Sequence, residues 1–426
     1  MELEPKPPPP TVVPGRRRAS WTLPVMALAT VVLAIPLARS WPSYRVGSPG
    51  TNDLIAYWSA GRLLLDGGDP YDLAALDCVE RSQGWTEPVT VAVWNPPWLL
   101  VWLVPLAELP FLPAAATWLA VSLSLVLACA TLSWRDCAGP DAGRTVAIAW
   151  GATAAFVPVL FLLHMGQVST LLVAGLVGFA WAAPRGKDAV AGAFLALTTV
   201  KPHVVHLVWV VAFYWILAGR RWRFAAGVAT VLGPSVALLA ACWPRALLGY
   251  RAVLAHPPLH YMPPTLAAVL RLLIDPSNAR IQIALPMVVE LVTLAWLVVR
   301  RPAIDWRTWL GPVVLVSVPT AAYGWCFDQV VLLIPYLAVV AWLARPGSGP
   351  TWRKGLVAAI LSATAAGMVA VNVAKCYDVA FAWSPTALAL AFAIARPRRG
   401  TGGWPHRLRG RSAGASSAAH GSAVGA

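Results

Sequence analysis

Residues 188–218, DAVAGAFLALTTVKPHVVHLVWVVAFYWILA, decide what kind of chain this is. The run is apolar for longer than the roughly 20 residues that cross a bilayer as a helix. Lys201, Pro202 and His203 interrupt it. Proline has no backbone N–H and breaks or kinks a helix, so the segment reads as two short spans, 188–201 and 203–218, or as one long kinked helix. In both readings a lysine stands among apolar spans, where a charge is costly unless it snorkels, pairs or binds an anion.

The same signature recurs outward from this segment. Of the 426 residues, 58% are hydrophobic and 12% charged. A soluble domain carries about a quarter charged residues, so the composition is that of a membrane protein. The net charge of +15 does not point to nucleic acid, because the basic residues fall in short clusters between apolar runs. These are Arg16–Arg18, Arg220, Arg221 and Arg223, Arg300 and Arg301, Arg353 and Lys354, and Arg396, Arg398 and Arg399. That spacing marks cytoplasmic loops under the positive-inside rule. Six scattered cysteines show no metal-finger or disulfide spacing, and neither a metal nor a cofactor is expected.

The expected architecture is all-α and polytopic, with about twelve spans and both ends cytoplasmic. A Pro/Arg-rich head covers 1–19, a transmembrane domain 20–395 and an Ala/Gly/Ser-rich tail 396–426. The first span, near 20–38, follows a Pro-rich head, PKPPPPTVVPGRRR, that shows no small-residue cleavage pattern, and reads as uncleaved. Residues 91–108, VAVWNPPWLLVWLVPLAE, fit a span, a re-entrant piece or a surface helix. On this map the first loop (43–90), HMGQ (164–167), TVKPH (199–203), 243–280, YGWCFDQ (323–329) and KCYD (375–378) share the extracytoplasmic face.

Candidate chemistry gathers on that face. Asp53 opens the loop stretch GTNDLIAYWSAGRLLLDGGDPYD and is either a general base or the N-cap of the helix that follows. Asp66, Asp69 and Asp72 read as turn formers. Arg62 would meet a phosphate or pair with one of these acids. Gln167 would hydrogen-bond a sugar or cap a helix. Lys201, with His203 beside it, would balance a phosphate or snorkel. Asp328 is a second candidate base or a partner for Lys201. Tyr57, Trp58 and, with His256 and His260, Tyr261 would wall the site, and Trp85, Trp94 and Trp98 would stack on sugar faces.

The ordered series AYWSAGRLLLDGGDPYD, WNPPWLLVWLVPLAELP, HMGQVSTLLVAGL, TTVKPHVVHLVWV and YGWCFDQVVLLIP resembles the actinobacterial membrane enzymes of glycosyltransferase family 87. The resemblance implies a GT-C-like fold with an extracytoplasmic site and a functional first outer loop. It implies a polyprenyl-phosphate-linked sugar as donor, a glycolipid or glycan of the cell envelope as acceptor, and transfer with inversion. Mannose is the expected hexose, with arabinofuranose the alternative and a flippase for lipid-linked sugars the non-enzymatic one. By the same resemblance the catalytic aspartate falls on Asp53, a GQ pair on Gly166 and Gln167, and a KP pair on Lys201 and Pro202. Many members carry a histidine where this chain has Asp328. The bilayer is a partner and nucleic acid is not. No nucleotide-binding glycine loop appears, which agrees with a lipid-linked donor.

Overall fold

The computed structural model describes residues 44–255 and 259–396, apart from the side chains of Pro140 and Asp141. The head, the span near 20–38, His256 and the tail beyond Arg396 lie outside the described residues. Every regular element among those described is an α- or 3-10 helix, so the all-α expectation holds.

In chain order the α-helices are α1 (Leu54–Leu65), α2 (Leu73–Ser82), α3 (Trp98–Ala107), α4 (Phe111–Ala138), α5 (Val146–Ala155), α6 (Val157–Met165), α7 (Thr170–Ala182) and α8 (Asp188–Ala196). They continue with α9 (His206–Gly219), α10 (Trp222–Cys242), α11 (Pro244–Ala255), α12 (Leu266–Ile274), α13 (Ala279–Arg300), α14 (Trp306–Thr320), α15 (Leu333–Ala344), α16 (Thr351–Val373) and α17 (Ser384–Ala395).

Among the described residues six helices are long and apolar enough to cross a membrane, or up to seven if the bent pair α5–α6 counts as one span. The chain is thus a multi-pass membrane protein. The sequence-based count of about twelve includes the span near 20–38, outside the described residues, and among those described several apolar runs are cut short. Helical stretches at Leu54–Leu65, Trp98–Ala107, Thr170–Arg185, Asp188–Val200 and Asp328–Ala344 hold only 10–17 residues each. The run 145–164 bends by 68° at Phe156. Pro158, the second residue of α6, cannot donate to the preceding turn, and Phe156 takes an extended ψ of 99°. Residues 91–108 form neither a full span nor a long surface helix: only Trp98–Ala107 is α-helical, preceded by Pro96 and Pro97.

The chain divides into two compact units. The first combines Met1–Cys129, Leu162–Thr170 and Leu232–His256; the second combines Ala130–Phe161, Leu171–Val231 and Pro257–Ala426. In the first, α1 packs along α3, and Gly61 permits the approach, since a Cβ there would lie 2.7 Å from the Cβ of Ala107. In the second, α9 packs against α13 and α14, and α16 against α17.

A carboxylate held by an amide and a lysine buried in a broken span

Asp53 immediately precedes α1, with φ −78° and ψ −19°, but its side chain makes no cap hydrogen bond. The helix-cap reading of this residue therefore does not describe the structure. Its Oδ2 instead accepts a hydrogen bond from Gln167 Nε2 at 2.6 Å. The Oε1 of Gln167 accepts from the Tyr57 hydroxyl at 3.0 Å. Gln167 is 4% exposed, Tyr57 is buried and Asp53 half-buried. One amide thus uses both of its ends, orienting the carboxylate with its donor while a phenol fixes its acceptor.

The backbone brings these residues together for a local reason. Asp53 N donates to Met165 O at 2.8 Å, and Gly50 N donates to His164 O at 2.8 Å. The turn after Met165 runs so close to Gly50 that a Cβ on Gly166 would lie 2.3 Å from Gly50 O. Gly166 also has φ +71°, a left-handed conformation that costs L-residues about 1–2 kcal/mol. Trp118 Nε1 closes the turn on Gly166 O at 3.1 Å. Glycine is required here, and it delivers Gln167 to Asp53.

Other loop candidates sort by contact. Trp58 is buried, donates from Nε1 to Leu109 O at 2.9 Å and packs its ring 5.5 Å from Phe111. Arg62 lies two and a half turns beyond Asp53, about 13 Å along α1. It reaches Ala107 O at 3.4 Å and Asp66 at 4.0 Å, a loose surface pair. Asp69 and Asp72 behave as turn formers. Asp69 accepts from Tyr71 N, and Asp72 caps α2 through Ala74 N and Ala75 N. Tyr71 sends its hydroxyl to Asn95 O at 2.8 Å, and burial, with Tyr250 and Asp69 beside it, pushes the phenol well above its ordinary range.

In the second unit the run 188–218 is broken, not kinked. The 3-10 turn Leu197–Val200 ends at Lys201, whose φ of −146° and ψ of 66° leave the helix, and a second 3-10 turn, Pro202–Val205, leads into α9. The backbone groups exposed by the break are met from α14: Ser317 Oγ donates to Val204 O at 3.1 Å and accepts from Leu207 N at 3.2 Å. Hydroxyl side chains on neighbouring helices are the usual means of satisfying an interrupted membrane helix.

Lys201 does not snorkel. It is 6% exposed, and its Nζ lies 2.8 Å from Asp328 Oδ1 and 4.7 Å from the Phe327 ring centroid. Asp328 is 1% exposed, and its Oδ2 accepts from Trp325 N at 2.9 Å. Of the two readings of Asp328, pairing with Lys201 is the one seen. A buried pair of this kind is costly to break: removing one partner typically costs about 3–5 kcal/mol. His203 is exposed on the same turn. Tyr261 packs edge-on 5.1 Å from Trp325, with His260 4.1 Å away. Arg271 holds that wall, donating to the carbonyl oxygens of Leu259, Tyr261 and Pro276.

Four polar residues of consequence escaped the sequence reading: Arg271, Glu80, His206 and Glu290. Glu80 on α2 is fully buried; its Oε2 accepts from Val91 N at 3.1 Å, and burial pushes its carboxyl up to about 7. Glu290 lies at the middle of α13 and meets His206. A carboxylate inside the apolar run LPMVVELVTLAWLVV was the available signal.

Residues 94–261 match the family model described as Glycosyltransferase family 87. The matched segment includes Gln167, Lys201, His203 and Tyr261, whereas Asp53 and Asp328 fall outside it. No curated protein matches the chain. Among solved structures, ArnT from Cupriavidus metallidurans, bound to undecaprenyl phosphate, is similar at 14% identity and a TM-score of 0.41. That similarity covers 89% of this chain and 77% of ArnT, and is too slight to carry an argument. Over residues 94–261, the family that the ordered motifs resemble is the family whose model the chain matches: glycosyltransferase family 87.

Proposed function

We propose that the protein is a membrane glycosyltransferase that moves a hexose, mannose in the first instance, from a polyprenyl-phosphate donor to a glycolipid or glycan acceptor with inversion. One observation carries the reading. The Asp53 carboxylate is withheld from helix capping and oriented by Gln167, a residue of the family-matched segment. A carboxylate so held has the chemistry of a general base.

In the reaction Asp53 takes the proton of an acceptor hydroxyl as that oxygen attacks the anomeric carbon from the face opposite the phosphate. The bond between the anomeric carbon and the phosphate oxygen breaks, and polyprenyl phosphate departs with the electron pair. The leaving group is already a good one, so no acid is required. Positive charge stabilises the charge that develops on the leaving phosphate. Lys201 and His203 are proposed for that role. Lys201 is already matched by Asp328, and His203, exposed on the same turn, offers a ring N–H as a hydrogen-bond donor to a phosphate. Arg62, tied to Asp66 and Ala107, is the weaker candidate. The site is proposed to face the extracytoplasmic side, as the basic clusters imply.

A flippase for lipid-linked sugars has one supporting observation, the buried ion pair at a broken apolar segment. Two assays, transfer in detergent and transbilayer movement in vesicles, separate the readings. Purified protein in detergent is given radiolabelled polyprenyl-phosphate-mannose, the arabinofuranose analogue or a nucleotide sugar, with a panel of glycolipid acceptors. The proposal expects labelled acceptor from a lipid-linked donor and none from the nucleotide sugar. Transfer from the nucleotide sugar, or transbilayer movement of intact donor in vesicles without transfer, sinks it.

A further inference from the structure

α12 carries its apolar side outward. Leu266, Leu270, Leu273 and Ile274 share one face and are exposed, while Ala267, Ala268 and Arg271 lie buried. A helix in water would show the reverse; in a bilayer, charged side chains face the interior of the bundle. Arg271 is 1% exposed, one of the largest fully buried side chains among the described residues.

Its guanidinium is committed to main-chain oxygens. Nη1 donates to Leu259 O at 2.9 Å and to Pro276 O at 2.6 Å, and Nη2 donates to Tyr261 O at 2.8 Å. Charge-assisted bonds of this kind offset the desolvation of a buried cation. Leu259 and Tyr261 stand in the loop that enters α12, and Pro276 in the turn that leaves it. One planar fork therefore joins both ends of the helix, a reach that the single ammonium of a lysine does not have.

The loop so held presents aromatic rings. Tyr261 packs edge-on against Trp325, with ring centroids 5.1 Å apart at 89°, and the His260 ring lies 4.1 Å from Tyr261. Trp325 belongs to a segment fixed from α13, where Gln282 Nε2 donates to Ala322 O at 2.5 Å. The Trp325 backbone N–H donates to Asp328 Oδ2 at 2.9 Å, and Asp328 Oδ1 lies 2.8 Å from Lys201 Nζ. Tyr261 and Trp325 are half-buried and His260 is exposed, so the rings keep surface open to a ligand. Aromatic faces carry negative potential and attract the C–H face of a sugar ring, while a neighbouring cation attracts phosphate.

We propose that Arg271 is a positioning residue for the sugar end of the donor: it fixes the loop that sets the Tyr261 ring against Trp325, beside the Lys201–Asp328 pair. The donor role rests on the function proposed above; the hold of Arg271 on the Tyr261 loop does not.

The test uses full-length protein purified in detergent. Affinity is read from the dependence of thermal stabilisation on ligand concentration, for polyprenyl-phosphate-mannose and for polyprenyl phosphate of the same chain length. Arg271→Lys and Tyr261→Ala should each weaken the mannose-bearing ligand several-fold and leave polyprenyl phosphate unchanged. The double variant should bind no more weakly than Tyr261→Ala, because Arg271 acts through that ring. Losses that add in the double variant would overturn the positioning role. Equal loss with both ligands, or no loss with either, would overturn the assignment to the sugar. If neither ligand stabilises the wild type, the donor reading of the site fails as a whole. Amide exchange at residues 259–262, expected to quicken in Arg271→Lys, still judges the hold on the loop, and unchanged exchange overturns it. If Arg271→Lys does not fold, Arg271→Gln, which keeps an NH2 donor without burying a charge, takes its place in the cycle. Trp325→Leu removes the surface on which Tyr261 packs and should show the same contrast between the ligands; no contrast would overturn the proposal.

Discussion

At the scale of single residues, the structure turns on two carboxylates with different neighbours. Asp53 is held by an amide, Asp328 by an ammonium and a backbone N–H. Removing Lys201 leaves Asp328 buried without its cation, so Lys201→Met should destabilise the protein by about 3–5 kcal/mol, and Asp328→Leu likewise. The double variant Lys201→Met/Asp328→Leu should recover most of the loss in thermal melts, because apolar pairs of similar size replace buried ion pairs at little cost. It should not recover transfer, if the lysine serves the donor phosphate. A double variant as unstable as either single one would show that the pair is not the coupled unit described. The positions of Asp53, Gln167, Lys201 and Asp328 as polar residues at apolar boundaries were legible in the sequence. Which of them meet was not, since the bonds join residues 114 and 127 apart in the chain. Glu290 was overlooked because a lone acid in a long apolar run draws attention only once its partner is seen.

At the scale of elements, the turns and loops carry the testable strain. Gly166→Ala forces a side chain onto a left-handed residue and against Gly50 O. The conformational term alone is about 1–2 kcal/mol. The variant should melt lower and lose the Asp53–Gln167 contact, and a wild-type melt would show that the turn can relax. In the first loop, α2 holds residues 85–91 by side chains. Glu80 accepts from Val91 N, while Asp77 accepts from Arg81 and Thr90. Burial raises the Glu80 carboxyl from 4.5 to about 7. A raised acid favours the protonated folded form. The loop's stabilisation is thus complete below the ordinary glutamate range and is lost as pH rises through about 7. Amide exchange over 85–91 should quicken across that range in wild type and stay flat in Glu80→Gln. Identical pH profiles in both would remove Glu80 from the account. The loop's density of acids and aromatics was legible. The inward turn of Glu80 was not, because nothing in LAALDCVERS sets it apart from an exposed helix.

At the scale of the whole molecule, composition alone carried the membrane assignment and the all-α class, as polar backbone groups in lipid must be satisfied within helices. The number of spans was less legible. Hydropathy counts apolar runs, while Pro158 and the paired Pro96–Pro97 leave pieces too short to cross alone, and the break at Lys201 leaves only Pro202–Gly219 of its run long enough. Sidedness can be measured. A cysteine placed at Gly68 should react with an impermeant reagent in intact cells, and one at Gly349 only after lysis. The reverse pattern would put the proposed site on the wrong side of the membrane.

Asp53 is proposed as the base of a glycosyl transfer. The most direct measurement compares the initial rate of transfer from radiolabelled polyprenyl-phosphate-mannose by wild type, Asp53→Asn and Asp328→Asn at equal folded concentration. Asparagine keeps the oxygen that accepts from Gln167 but cannot take a proton. A general base contributes on the order of 10²- to 10⁴-fold, so Asp53→Asn should lose at least that much in kcat with donor binding near normal. Wild-type transfer by Asp53→Asn, with transfer lost in an Asp328→Asn protein that still folds, would contradict the account and move the base to the other carboxylate.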